Sequence, residues 1–424
     1  MAKKIFQAPK GVKDVLPEDQ PYWQHVEKTI LDVVRLFGYQ RLNLPVFEET
    51  ALFQRGVGEG TDIVDKEMYT FEDKGGTLIT LRPEFTAGVM RSYLQHGMAN
   101  QSLPVKIWNM GPVFRYERPQ AGRFRQHTQF NVEAIGEQDP ALDFEVMSVA
   151  WTLYQKLGFE NLNFQLNSIG CPQCRPDYLQ KLVAYYEKHQ NKICNECQVR
   201  LKKNPLRLLD CKKESCQPII EKAPSIAEML CEECEIHFQT LLQYLEDHGR
   251  PYQLNHRLVR GLDYYTKTVF EVWAQGIGAQ NAVCGGGRYD GLSEAIGGPA
   301  TPGVGFASGM ERIVLTLKNQ GATIPNLAKP AVFLAHQGEA GKNQSVKLLS
   351  QLRDHGLQSM MAFGSRSLKA QLREANRKEV AYVIIIGDEE IEKGNVQIKS
   401  MMESTQEMVP MDQIITFLKC KRVS

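Results

Sequence analysis

The sequence runs to 424 residues, 42% of them hydrophobic, enough to bury a sizeable core and to divide into two or three domains. Lys and Arg number 50 against 49 Asp and Glu, so no global basic field draws a nucleic acid, and any RNA contact must come from local patches. The amino terminus lacks the apolar core of a signal peptide, and the longest apolar run, Ala381 to Ile386, is only strand-sized; a cytoplasmic protein with no membrane contact is expected, its ten cysteines reduced.

Along the chain, Ile30, Val33, Val34 and Phe37 recur at helical spacing and stop at Gly38, which predicts an amphipathic helix with a glycine at its carboxyl end. Short β-rich stretches follow at Thr77 to Leu81, Val105 to Asn109, Thr128 to Ile135, Phe164 to Asn167, Thr268 to Trp273 and Gly303 to Phe306. Helices are expected beside them at Phe144 to Leu157 and Met310 to Asn319. The irregular alternation favours an α+β core on a mainly antiparallel sheet over a doubly wound one. Between about Cys171 and Gly249 the core is interrupted by a helical region holding eight of the ten cysteines. After Ala322-Thr323-Ile324-Pro325-Asn326 the rhythm becomes strand, helix, strand, helix, strand from Ala331 to Gly387, the pattern of a separate α/β domain.

The segment Phe114 to Phe130 reads as two strands joined by a turn around Ala121-Gly122, and it carries four arginines. Arginines two apart on a strand face one way and can grip phosphate bidentately; an exposed basic hairpin is the plainer alternative. The run Cys284-Gly285-Gly286-Gly287-Arg288-Tyr289-Asp290-Gly291 lacks the Gly-Lys-Ser/Thr ending of a phosphate loop.

The arginine hairpin resembles the second signature motif of class II aminoacyl-tRNA synthetases, and Gly305-Phe306-Ala307-Ser308-Gly309-Met310-Glu311-Arg312 resembles the third. Leu258-Val259-Arg260-Gly261-Leu262-Asp263-Tyr264-Tyr265 and Thr80-Leu81-Arg82-Pro83-Glu84-Phe85-Thr86-Ala87-Gly88 are similar to the two histidine-specific signatures, with Phe at 85 where some members carry Gly. The resemblance is thus to bacterial histidyl-tRNA synthetases, along nearly the whole chain. It implies a class II fold, with a catalytic core in residues 1–170 and 251–326, an inserted helical domain at 171–250 and an anticodon-binding domain at 327–424. It further implies that Arg115 holds the α-phosphate of ATP, Arg123 the outer phosphates and Arg312 the γ-phosphate. Arg260 would approach the α-phosphate and the histidine carboxylate, a place other class II enzymes give to a metal ion. Glu133 and Tyr264 would engage the two ring nitrogens of histidine, Glu84, Thr86 and Gln129 its α-amino group, and Tyr265 would close the aromatic wall. Pro45 falls where motif 1 supplies a homodimer interface. The expected partners are L-histidine, ATP with Mg²⁺, and tRNA-His. A site that pairs with a polar side chain rejects apolar isosteres by roughly 10⁴ or more, so no editing domain is needed.

The rival reading is a histidine-sensing regulatory subunit built on the same core. Arg115, Arg260, Arg312, both tyrosines and the extra carboxyl-terminal domain argue against it. In that last domain, Lys369, Arg373, Arg377 and Lys378 offer a basic helix face to RNA phosphates, or simply a solvated one.

Cys171-x-x-Cys174, Cys194-x-x-Cys197 and Cys231-x-x-Cys234, with Cys211 and Cys216, have the spacing of structural Zn²⁺ ligands. Leu179, Leu182, Val183 and Tyr186 mark a helix between the first two couples, and about 12 helical residues span roughly 18 Å, too far for one ion. An alternating arrangement is therefore expected: Cys171, Cys174, Cys211 and Cys216 at one site, Cys194, Cys197, Cys231 and Cys234 at the other. Many similar synthetases lack these cysteines, so catalysis is not expected to depend on them.

Overall fold

A computed structural model describes residues 5–58, 60–119, 122–274, 282–325, 327, 329–403 and 405–421. The chain divides into two compact units, Met1–Pro325 and Asn326–Ser424. Ala121 of the expected hairpin turn and Asn326 of the expected domain junction lie outside the described residues.

The first unit opens with α1 (Gln20–Leu36), β1 (Gln40–Arg41), β2 (Phe47–Glu49), α2 (Thr50–Val57), β3 (Tyr69–Glu72), β4 (Leu78–Leu81) and α3 (Thr86–Gln95). Its centre is β5 (Val105–Phe114), β6 (Gln126–Ile135), α4 (Pro140–Lys156) and β7 (Asn163–Ser168). The cysteine-rich region supplies α5 (Arg175–Glu187), α6 (Asn195–Lys203), α7 (Gln217–Ile220) and α8 (Glu232–Asp247). The chain then re-enters the core as β8 (Tyr252–Leu254), β9 (Thr266–Trp273), β10 (Ala282–Arg288), α9 (Leu292–Ala295), β11 (Gly303–Gly309) and α10 (Met310–Asn319).

Eight strands form one sheet in the order β1-β5-β6-β11-β10-β9-β7-β8, parallel only at the two outermost pairings. This is the antiparallel-rich α+β architecture expected. The order is non-sequential because β10 and β11 insert between β6 and β9, so residues more than a hundred positions apart become neighbours across the sheet. Alternation along β6 divides the two faces: Phe130, Val132 and Ala134 join the core under α1, α4, α8 and α10, while Gln129, Asn131 and Glu133 point the other way. That second face is covered partly by the cysteine-rich region, whose Tyr178, Leu182, Tyr186, Cys197, Cys211 and Cys216 share one hydrophobic cluster with Leu258, Val259, Tyr264, Tyr265 and Tyr289. A separate sheet, β2-β4-β3, stands beside α2 and α3.

The second unit contains β12 (Val332–His336), α11 (Gly338–Asp354), β13 (Ser359–Met361), α12 (Leu368–Arg377), β14 (Tyr382–Ile386), α13 (Asp388–Lys393), β15 (Asn395–Ser400), β16 (Gln406–Pro410) and α14 (Ile414–Cys420). Its sheet order is β13-β12-β14-β15-β16, the first three parallel as the strand–helix rhythm predicts, the last two an antiparallel extension. Gly394, at φ 66°, turns the chain from α13 straight into β15, a left-handed conformation that glycine adopts at little cost. Among the described residues, no helix in either unit is long and apolar enough to cross a membrane.

Candidate active site

Two connected cavities open on the polar face of the large sheet. The smaller, of about 110 Å³, is lined by Glu84, Thr86, Gln129, Glu133, Tyr264 and Tyr265 together with Asn131 and Tyr289. The larger, of about 900 Å³, is lined by Arg115, Arg123, Arg260 and Arg312. Arg115 and Arg260 border both. Thus all ten residues predicted for substrate binding and catalysis converge, although they come from four separate stretches of sequence.

Absent side chains make the room. A Cβ on Gly305 of β11 would lie 1.8 Å from Glu133 Oε2, and one on Gly285 of β10 would lie 2.5 Å from both terminal nitrogens of Arg260. The glycine-rich run is therefore a central strand whose bare backbone lets Arg260 lie flat against the sheet, as Gly305 of the next strand does for Glu133.

In the smaller cavity Glu84 accepts from the backbone N–H groups of Thr86 and Ala87, the latter at 2.9 Å, and so caps the start of α3. Burial nevertheless holds its carboxyl above the usual range. Phe85, next to it, is buried beneath the Arg82 guanidinium at 4.3 Å. Glu133 accepts from the Thr86 hydroxyl at 2.6 Å, the Tyr289 hydroxyl at 2.8 Å and Asn131 Nδ2 at 3.2 Å. Burial pushes its carboxyl up to about 7 against those three bonds. A carboxylate has about four lone-pair sites, so one remains for a donor inside the cavity. Tyr264 packs against Tyr265 and edge-on against Tyr289, with ring centroids 4.7 and 5.9 Å apart, and its hydroxyl lies 3.5 Å from Glu84. The result is an aromatic box with polar groups at fixed points.

The larger cavity carries charges of both signs, eight cationic side chains against seven acidic ones among the described residues, and four predicted arginines lie within it. Arg115 follows the last residue of β5 and is held by its backbone bond to Arg125 and by Nε donating to the Pro83 carbonyl at 2.8 Å. Arg123 donates to Glu117 at 3.3 Å, and Arg312, on the first turn of α10, to the Ala282 carbonyl at 2.6 Å. Arg260 is anchored by Glu271 of β9 at 2.7 Å. His127 adds no charge, since burial and the neighbouring Arg115 push it down to about 3. Glu311 accepts from the backbone N–H of Thr128 and is pushed by burial up to about 7.

Sequence reasoning missed Asn131, Tyr289, Glu117 and Glu271. Asn131 was legible, because Gln129, Asn131 and Glu133 alternate on one strand. Tyr289 reads like any core aromatic, and Glu271 gains its role only from the register that sets it opposite Gly285.

The cysteines require a correction. The structure does not alternate them. Cys171, Cys174, Cys231 and Cys234 form one cluster, and Cys194, Cys197, Cys211 and Cys216 the other. A helix does separate the first two couples, as the spacing required, but the chain between Cys194 and Cys216 stays at the far end of α5 and then runs back along it. Tyr185 bonds to the Ile219 carbonyl and Tyr178, two turns earlier, to the Pro224 carbonyl. That antiparallel return delivers Cys231 to Cys171, so the pairing is nested. Neighbouring sulfurs are 3.7, 3.8 and 3.9 Å apart in the first cluster and 3.8 and 3.9 Å in the second. A zinc tetrahedron with bonds of about 2.3 Å has edges of about 3.8 Å, so both donor sets fit that ion. Backbone N–H groups of Cys171 and Cys194 donate to Cys174 and Cys216 Sγ.

A family model described as histidyl-tRNA synthetase matches residues 11–313, well over half of the chain, and one described as an anticodon binding domain matches 331–421. The chain belongs to the histidyl-tRNA synthetase family. Within it, a histidine–tRNA ligase of Dehalococcoides mccartyi is 51% identical, the match covering 98% of this chain and 99% of that one. One of Desulforamulus reducens is 46% identical over 97% and 99%. The crystal structure of apo histidyl-tRNA synthetase from S. aureus superposes with a TM-score of 0.82 at 35% identity, covering 98% of this chain and all of that one.

Proposed function

We propose that this chain is a class II histidine–tRNA ligase that first joins L-histidine to AMP and then passes the histidyl group to the 3′ end of tRNA-His. The observation that carries the reading is the placement of Arg115 and Arg260 where a polar aromatic box meets an arginine-lined cleft. An amino acid in the box directs its carboxylate toward that junction, and a triphosphate in the cleft directs its α-phosphorus there. ATP enters as its Mg²⁺ complex. The histidine carboxylate attacks the α-phosphorus, pyrophosphate leaves, and Arg115 and Arg260 stabilise the negative charge that spreads over the phosphoryl oxygens. Arg123 and Arg312 hold the outer phosphates. A hydroxyl of the terminal tRNA ribose then attacks the acyl carbon, AMP leaves, and no side chain becomes covalently attached.

The imidazole sits between the free lone pair of Glu133 and the Tyr264 hydroxyl, one acceptor and one donor for a ring that carries one of each. Glu84, Thr86 and Gln129 receive the α-ammonium, and Tyr265 forms the wall. Histidine-dependent exchange of pyrophosphate into ATP tests this directly: exchange with histidine alone is expected, and exchange with another amino acid, or none despite histidine binding, would overturn it.

Residues 1–170 and 251–326 form the catalytic core in this reading, 171–250 its insertion and 327–424 the anticodon-binding domain. In the last, Lys369, Arg373 and Arg377 of α12 line a groove with Lys399, Leu372 and Met401, suited to phosphates and a stacked base. Phe47 and Phe71 share one face of the small sheet and are half exposed, which suits a second copy of the chain; a monomer in sedimentation at micromolar concentration would refute that. Both cysteine clusters hold structural zinc, and the protein works in the cytoplasm.

A further inference from the structure

We infer that the two cysteine clusters brace different halves of the active site, the first the histidine pocket and the second the wall of the ATP cleft. The inference rests on the zinc reading above, and its experiment separates the two.

In the first cluster, Arg175 directly follows the ligand Cys174. Its guanidinium donates to the backbone carbonyl of Tyr265 at 2.7 Å and to those of Gly170 and Ile169 at 3.0 Å. Glu233, between Cys231 and Cys234, pairs at 2.6 Å with the nearly buried Lys267. Lys267 is held at φ 49°, a left-handed conformation unfavourable for a lysine, by backbone bonds to Gly170 and Ile169. The segment Tyr265-Thr266-Lys267, which leaves the tyrosine pair of the pocket, is therefore pinned on both sides by side chains adjacent to ligands.

In the second cluster, Cys211 and the exposed Lys212 and Lys213 after it border the ATP cleft. Arg200 and Arg207, both within the chain that this cluster closes, each donate to Asp62 Oδ2 at 3.3 Å. Lys203 lies 3.5 Å from Asp65. Asp62, Ile63 and Glu67 form the cleft wall facing Arg115, so four thiols fix the insertion that holds this wall in place. Asn204 also reaches Asp263 at 2.6 Å, a lesser link toward the tyrosine pair. The chain between Cys194 and Cys216 has only short helical pieces, the setting in which a metal supplies order that local packing lacks.

The experiment is zinc analysis and steady-state kinetics on the full-length protein and four variants. Cys234→Ser and Cys216→Ser each remove one ligand; Arg175→Gln and Arg207→Ala cut a strut and leave all eight thiols. About two zinc ions per chain are expected in the unaltered protein and about one in each cysteine variant. Cys234→Ser and Arg175→Gln should raise KM for histidine about tenfold with KM for ATP within twofold. Cys216→Ser and Arg207→Ala should raise KM for ATP about tenfold and KM for histidine less; displacement of binding groups by a fraction of an ångström suffices for such changes. If a cysteine variant fails to fold, the two strut variants still decide the matter. No zinc in the unaltered protein would overturn the zinc reading alone, whereas equal effects of both strut variants on both KM values, or none, would overturn the bracing.

Discussion

The proposed histidine pocket and the proposed ATP cleft are built on the same three strands, β6, β10 and β11, yet they prepare for their ligands in opposite ways. The pocket is closed, and its polar atoms are already bonded to one another: Glu133 to three donors, Glu84 to two backbone N–H groups, Gln129 to Asn131 at 2.6 Å. Part of the bonding capacity of each group is thus already used within the protein, and the rest remains for a ligand. The cleft is open, and its eight cationic side chains outnumber by one the seven carboxylates beside them among the described residues. A closed site selects by the cost of leaving a buried group unpaired, while an open one lined by arginines gathers charge with little regard for shape. Specificity for the amino acid and affinity for the polyphosphate are thereby separated in space.

Arg260 belongs to both regions, so its loss should do the most damage. In the proposed mechanism Arg260→Ala removes a donor to the reacting carboxylate, and it leaves Glu271 with the Trp273 indole N–H but without its ionic partner. A fall of roughly 10²- to 10³-fold in pyrophosphate exchange is expected, with the melting temperature almost unchanged. Exchange within tenfold of normal would place the charge stabilisation on Arg115 alone. Next comes Glu133→Gln, which keeps the shape of the pocket and removes its charge. Hydrogen bonds to a charged group contribute about 2 kcal/mol, so KM for histidine should rise about 30-fold while KM for ATP stays within twofold. A matching rise for ATP would show that the two regions are not independent.

How much of this contrast could be read from the sequence depends on whether the contributing residues are close in the chain. The arginine hairpin, the Glu84-x-Thr86 turn and the tyrosine pair are local patterns, and each was legible. Helix and strand positions followed from periodicity, and α4, β6, α10 and β14 lie where it put them. Glu117 and Glu271 hold arginines within 11 positions of themselves but carry no distinguishing pattern, whereas Tyr289 was not legible because only the non-sequential strand order brings its partner Glu133 near. The cysteine pairing failed for the same reason. Helix length fixed which couples must be apart, but the direction of the returning chain, which only Tyr178 and Tyr185 record, decided which must be together.

Titration offers a gentler way to separate the two regions. The folded Glu133 carboxyl lies at about 7, above its ordinary value, so it is mostly protonated at pH 6 and mostly ionised at pH 8. A protonated carboxyl loses the acceptor that the imidazole N–H needs. KM for histidine should therefore fall about tenfold between pH 6 and pH 8, as the ionised fraction rises. Free histidine titrates near the same range, and Glu133→Gln is the control: only the part that disappears in that variant belongs to the carboxyl. Equal profiles for the two proteins would mean that Glu133 is ionised throughout.

Arg123 marks the outer limit of the cleft, and there the smallest effect is expected. Its side chain is 40% exposed and touches Glu117 across 3.3 Å, with water able to replace most of what it offers a phosphate. Exposed ion contacts contribute at most about 1 kcal/mol, so Arg123→Ala should raise KM for ATP no more than about fivefold and leave KM for histidine alone. The effect should also shrink as salt is added, since screening acts on exposed pairs and spares the buried bonds of the pocket. A larger and salt-insensitive loss would mean that the Arg115–Arg123 hairpin closes over bound ATP and excludes water, making the cleft, when filled, as enclosed as the pocket beside it.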